Sequence, residues 1–255
     1  CARLTRRKIS MAKKPLLPRW LPVSLSLALA ACGTQAPSGQ EITTSSPATM
    51  PSRPFPVDTL YSLLVAETAA NRNQLDIALA HYYQQAYKTR DSGVVRRATL
   101  LAQHLEASQA ALDLALLWSD IEPKNPEPVY LAGQYFIAFQ RPDLAMQQSR
   151  RLLAMDAQSL FLPLASSPAA QDSNTRQTLL QEYETLLQQH PDNIDLLLGR
   201  AALLEQQDDF EGSLASIAKA RKLDEDDLRS RLFEVDLLYK SGRPDEAIKR
   251  MAAIV

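Results

Sequence analysis

Few residues in this 255-residue chain are of a type and spacing that could do chemistry. The stretch "LALAACG" (27–33) ends an apolar run on Cys32, and the chain has only one other cysteine, Cys1. A cysteine there is a small buried residue, half of a disulfide, or a site of covalent modification. The three histidines, His81, His104 and His190, stand far apart. No Gly-rich phosphate loop, Gly-X-Ser-X-Gly or His-Glu-X-X-His occurs, and no Cys/His spacing suggests a metal site. "DEDD" (224–227) has the charge for a cation but not the spaced ligands and glycine of a calcium loop; acids also suit the start of a following helix. Arg96-Arg97 and Arg150-Arg151 read as solvated helix faces. The sequence therefore predicts no enzyme, no catalytic residue, no metal and no cofactor.

Charge is unevenly placed. Residues 1–31 hold seven Lys or Arg and no acid, which leaves 21 bases against 29 acids in the rest, a net of −8. An acidic body has no electrostatic reason to bind nucleic acid or an anionic lipid surface.

The elements around Cys32 read as a targeting segment. Residues 1–10 have no apolar period and read as an upstream or non-native extension, with Met11 as the initiator. Lys13, Lys14 and Arg19 make a cationic lead. "LPVSLSLALAA" (21–31) is too short to span a bilayer, which takes about 20 residues, and fits the apolar core of a signal peptide over 11–31. Leu29-Ala30-Ala31-Cys32 resembles the lipobox of bacterial lipoproteins at every position. The resemblance implies cleavage before Cys32 and acylation of its sulfur and new amine by palmitate-type chains. One chain anchors weakly and two or more anchor stably. Gly33, rather than Asp, after the cysteine implies the outer membrane, with the protein facing the periplasm. Residues 32–57 follow as the lipidated cysteine and a Pro/Ser/Thr-rich tether, with a reach on the order of 5–6 Å × √n for n residues. An extended segment lying on the body is the alternative.

From Asp58 onward the chain reads as successive amphipathic helices with no convincing strand. "RPDLAMQ" and "RPDEAIK" place Pro142 and Pro244 three times 34 residues apart, and Ala111, Ala145 and Ala247 follow the same grid. Pro123 and Pro191 lie twice 34 apart. A 34-residue period of two helices resembles the tetratricopeptide repeat. Gly133, Phe136 and Ala145 fit its small, aromatic and second-helix alanine positions. Ala201, Phe210 (just before a second helix) and Ala220 fit in the next recognisable unit, and Gly242 and Ala247 in the last. Ser213, Leu179, Ala157 and Glu225 depart from the pattern. Ala78 stands one residue off the grid. Pro163 and Pro168 predict a short or broken helix over 161–174. The expected fold is all-α: a solenoid of antiparallel helix pairs over 58–255, about six units, the last incomplete. Without a polar cap, Ile254 and Val255 would form an open apolar edge, so further units are expected beyond residue 255.

In such arrays the small residues are scaffold, and function lies on the groove lined by first helices. The resemblance puts Arg96, Gln103 and His104, then Tyr130, Gln134 and Ile137, then Leu232, Asp236 and Tyr239 on that groove as partner-binding residues. Residues 58–118 also resemble the opening of Gram-negative outer-membrane lipoproteins with many such repeats. Among these is the adaptor of a periplasmic carboxy-terminal processing protease. That likeness implies binding and activating the protease and presenting peptidoglycan hydrolases to it. Alternatives are assembly of outer-membrane proteins or of the type IV pilus secretin, or the non-catalytic first part of a larger enzyme.

Overall fold

The computed structural model describes residues 56–254, all of whose regular structure is helical. Cys32, the signal peptide and the tether up to residue 55 lie outside the described residues. Twelve α-helices follow in order. They are α1 (Val57–Asn71), α2 (Leu75–Thr89), α3 (Ser92–His104), α4 (Ser108–Ile121), α5 (Pro126–Ala138) and α6 (Pro142–Ala154). Then come α7 (Phe161–Ala165), α8 (Ser173–Gln189), α9 (Ile194–Glu205), α10 (Phe210–Leu223), α11 (Leu228–Lys240) and α12 (Pro244–Ala252). Each odd helix but α7 packs antiparallel on the next even one, and each pair packs on the pair after it; in the fourth pair α7 packs mainly on α9, and the 3₁₀ turn at Pro168–Gln171 carries the contact with α8.

The chain's punctuation sets the period. Asp91, Asn125, Asn193 and Asp227 cap the first helices, each accepting from a main-chain N–H one turn on at 2.9–3.0 Å. They lie on one 34-residue grid, and Asp and Asn satisfy the orphan donors of a helix start. This explains "DEDD": Asp227 caps α11 and holds the Arg229 Nε at 3.0 Å. Each turn inside a pair, except the fourth, reverses on one left-handed residue. These are Asn73, Glu106, Gln140, Asp208 and Gly242, with φ of 58°, 54°, 55°, 62° and 79°. The last four share the grid. Only Gly242 adopts that conformation without steric cost.

Small residues then let the paired helices close. Ala78, Ala111, Ala145, Ser213 and Ala247 are each the fourth residue of a second helix, and all are buried. Ala78 is therefore in register, its one-residue offset arising in the spacing to the next pair. Ser213 replaces alanine without an orphaned hydroxyl, because its Oγ donates to the Ala201 carbonyl of α9 at 2.8 Å. Phe210 is the first residue of α10 rather than a residue preceding it, in the place Pro142 and Pro244 hold.

The fourth pair is irregular, as Pro163 and Pro168 predict. Its first helix, α7, has 5 residues and is followed by a 3₁₀ turn at Pro168–Gln171. The missing length leaves room that larger side chains fill. Leu179 replaces the usual alanine, and Tyr183 fills a position held by Ser149 and Ile217 in other pairs; both are buried with Phe161, Leu164 and Ala165. Ion pairs tie like helices together along the array. Arg229 of α11 meets Asp195 of α9 at 2.7 Å, and Lys240 of α11 meets Glu205 of α9 at 2.6 Å. Among second helices, Arg150 of α6 pairs with Glu182 of α8 and Arg243 beside α12 with Glu211 of α10. First helices thus line one side and second helices the other.

Ile254 is half-buried against Val235, Leu238 and Ala247, while Ile248 and Met251 on the same helix end are exposed. Val255 lies outside the described residues.

Candidate functional site

The predicted groove residues fall on three first helices, α3, α5 and α11. On α3, Arg96 and His104 are exposed and Gln103 is half-buried. On α5, Gln134 is exposed. Tyr130 and Ile137 are half-buried against the cluster of Val129, Leu152 and Leu160, and the Tyr130 hydroxyl accepts from Gln158 Nε2 at 3.4 Å. Ile137 also packs on the main core, so part of its side chain is structural. Each trio keeps to its own helix.

Leu232, Asp236 and Tyr239 do come together. They line an open cavity of about 380 Å³ with Val235, Pro244, Ala247, Ile248 and Met251. Asp236 accepts from Lys240 at 2.6 Å, and Lys240 also reaches Glu205. Hydrogen bonds first to Asp236 and then to Glu205 raise the lysine's pKa above its ordinary value. The ammonium stays charged and is occupied by two carboxylates.

A second cavity, on the first-helix side, was not anticipated. About 430 Å³ in volume, it is lined by Leu162, Ser166 and Gln171 of the broken fourth unit, Ala202, Glu205 and Gln206 of the α9 end, and Phe233 of α11. Gln206 donates to the Ala165 carbonyl at 2.7 Å, while its buried Oε1 has no partner. The signal for this site was in the sequence. Gln103, Ile137, Gln171, Glu205 and Tyr239 recur every 34 residues, so the position that selected three of them also selects Gln171 and Glu205. A cavity of about 620 Å³ lies between the second helices α6 and α8, around Met146, Arg150, Thr178 and Glu182. It is on the side away from the predicted groove.

Among the described residues, no group of three or more His, Cys, Asp or Glu is placed to hold a metal ion. His190 ends α8, exposed, its N–H donating to the Leu186 carbonyl at 2.8 Å. None of the described helices is long and apolar enough to cross a membrane.

No protein-family model matches the chain. Over 199 residues, 78% of its length, it is 38% identical to a TPR repeat-containing protein of Pseudomonas aeruginosa. The chain is a homologue of a tetratricopeptide-repeat protein. It spans 34% of that relative's length. Among solved structures, a tetratricopeptide repeat protein from Parabacteroides merdae aligns over 78% of both chains, with 17% identity and a TM-score of 0.45. The MamA protein aligns over 76% of this chain and 88% of its own, with 10% identity and a TM-score of 0.43. The six stacked pairs with a 34-residue period are a tetratricopeptide-repeat solenoid, an architecture that offers extended surfaces to protein partners.

Proposed function

We propose that this tetratricopeptide-repeat array is a lipid-anchored scaffold of the outer membrane, facing the periplasm, held by acyl chains on Cys32. On this reading it binds a carboxy-terminal processing protease and presents peptidoglycan hydrolases to it. One observation carries the docking role: the first-helix side keeps an open cavity around Phe233 and Glu205, and a second lies between α11 and α12 around Tyr239 and Asp236, both with walls that mix apolar and charged side chains. Partner surfaces favour such a mixture, with apolar contact for affinity and charge for register. The lipobox resemblance supports the anchor, and the likeness of residues 58–118 to repeat lipoproteins supports the protease partner.

Purified chain, protease and a peptidoglycan hydrolase test the reading directly. Adding the chain should speed loss of the hydrolase. Substituting Tyr239→Ala together with Phe233→Ala should weaken the gain. An unchanged rate of hydrolysis would remove the adaptor role. Co-purification from envelope extract with barrel-assembly or pilus-secretin components would favour the assembly roles.

A further inference from the structure

We propose that the cavity at the broken fourth unit takes an arginine side chain from a basic segment of a partner protein, its stem on the apolar wall and its guanidinium against Glu205 and the Phe233 ring. This rests on the reading of the first-helix side as a docking surface and adds the chemistry of what docks there.

The cavity is built wholly by units inside the chain. Its walls come from the short α7 and its 3₁₀ turn, from the end of α9 and from α11. Leu162, Ala202 and the half-buried Phe233 supply the apolar wall. Glu205 is the one charged residue that lines it. Its Oε1 accepts from Lys240 at 2.6 Å, but that ammonium also holds Asp236 at 2.6 Å. Two carboxylates thus share one positive charge.

The same shortage recurs at the other end of these helices. Arg229 of α11 meets Asp195 at 2.7 Å and Asp227 at 3.0 Å, again one cation for two acids. The remaining charges of α9 and α11 turn to the second helices. Arg200 meets Glu184 of α8, Glu234 meets Arg221 of α10, and Arg231 donates to the Ala253 carbonyl beside α12. The first-helix side of α9 and α11 is therefore short of two positive charges, one at each end. An acidic rim around an apolar wall selects a cation on an apolar stem. Arginine meets both demands. Its methylenes cover apolar surface, its guanidinium stacks on an aromatic face, and its fork matches a carboxylate. An acidic segment would be repelled, and a neutral one would leave the excess charge unpaired.

Fluorescence anisotropy with two labelled peptides tests this on the full chain. One peptide alternates leucine and arginine, and the other has glutamine at each arginine. The arginine peptide should bind at least about tenfold more tightly, and added salt should weaken it. Glu205→Gln should weaken it by about tenfold. Lys240→Gln frees both carboxylates and should tighten binding, a gain that a damaged fold would not produce. Asp120→Asn removes the same charge from an exposed position on the second helix α4 and should leave binding unchanged. Equal binding of the two peptides overturns the proposal. So does equal weakening by Asp120→Asn and Glu205→Gln, or a Lys240→Gln variant that binds no more tightly. The hydrolase-loss assay separates this from the adaptor role. Adaptor activity that survives in Glu205→Gln after arginine-peptide binding is lost overturns the arginine site and spares the adaptor. Arginine-peptide binding that follows the expected pattern without adaptor activity supports the site and removes the adaptor.

Discussion

The Tyr183 hydroxyl donates to the main-chain carbonyl of Phe161 at 2.7 Å, and the two rings meet edge to face with centroids 5.4 Å apart. The tyrosine is fully buried. Burial drives its pKa well above the ordinary range, so the hydroxyl remains a donor. This bond anchors the short α7, which is too brief to be stable by itself. Tyr183→Phe keeps the packing and strands the carbonyl, so it should cost about 1–3 kcal/mol. Chemical denaturation measures it, and proteolysis should then begin in 161–172.

Gly199 belongs to the same knot. A methyl there would meet the Tyr183 ring at 2.6 Å and the Phe161 carbonyl oxygen at 3.1 Å, a ring and a backbone that are both held. Gly199→Ala should therefore destabilise by about 1–3 kcal/mol, although alanine is the better helix former. A gain in thermal midpoint would show that the knot gives way easily.

Gln140 and Asp208 hold left-handed conformations at turns where Gly242 stands on the same grid. Gln140→Gly and Asp208→Gly should each stabilise by up to about 1 kcal/mol, the steric relief exceeding glycine's extra chain entropy. Gly242→Ala should destabilise by a similar amount, about 1 kcal/mol. Denaturant midpoints with unchanged slopes check all three.

Glu122 accepts from Asn125 Nδ2 at 2.7 Å and from Trp118 Nε1 at 2.8 Å. The Asn125 bond first, then the Trp118 bond, holds its pKa below the ordinary 4.5. The folded state thus binds this proton less readily than the unfolded state. The stability it contributes is full above pH 4.5 and is lost as pH falls through the lower folded value. Glu122→Gln should flatten that acid limb. Trp118 fluorescence in a Trp20→Phe background reads the transition.

Cys32→Ser should release the protein from the membrane fraction into the soluble periplasm, as expected if acyl chains supply the anchor. Retention of the serine variant in the membrane, seen by fractionation, would remove the lipid-anchor reading.

The 34-residue period, the helix pairs, the broken fourth unit and the scaffold alanines were legible in the sequence by itself. Caps, turns and small crossing residues act over a few neighbours, and so they leave periodic marks on the chain. Exposure could not be read in that way. Met146 and Ile248 occupy the same place in the repeat, yet one is buried and the other open, because burial depends on what stacks against a unit. The roles of Leu179 and Tyr183 also waited for the fold, since only there does the shortness of α7 become a space to be filled. The cavity at Phe233 and Gln206 arises from the same shortfall. Local chemistry wrote the repeat, and the packing of one unit on the next decided which of its surfaces remain free to bind.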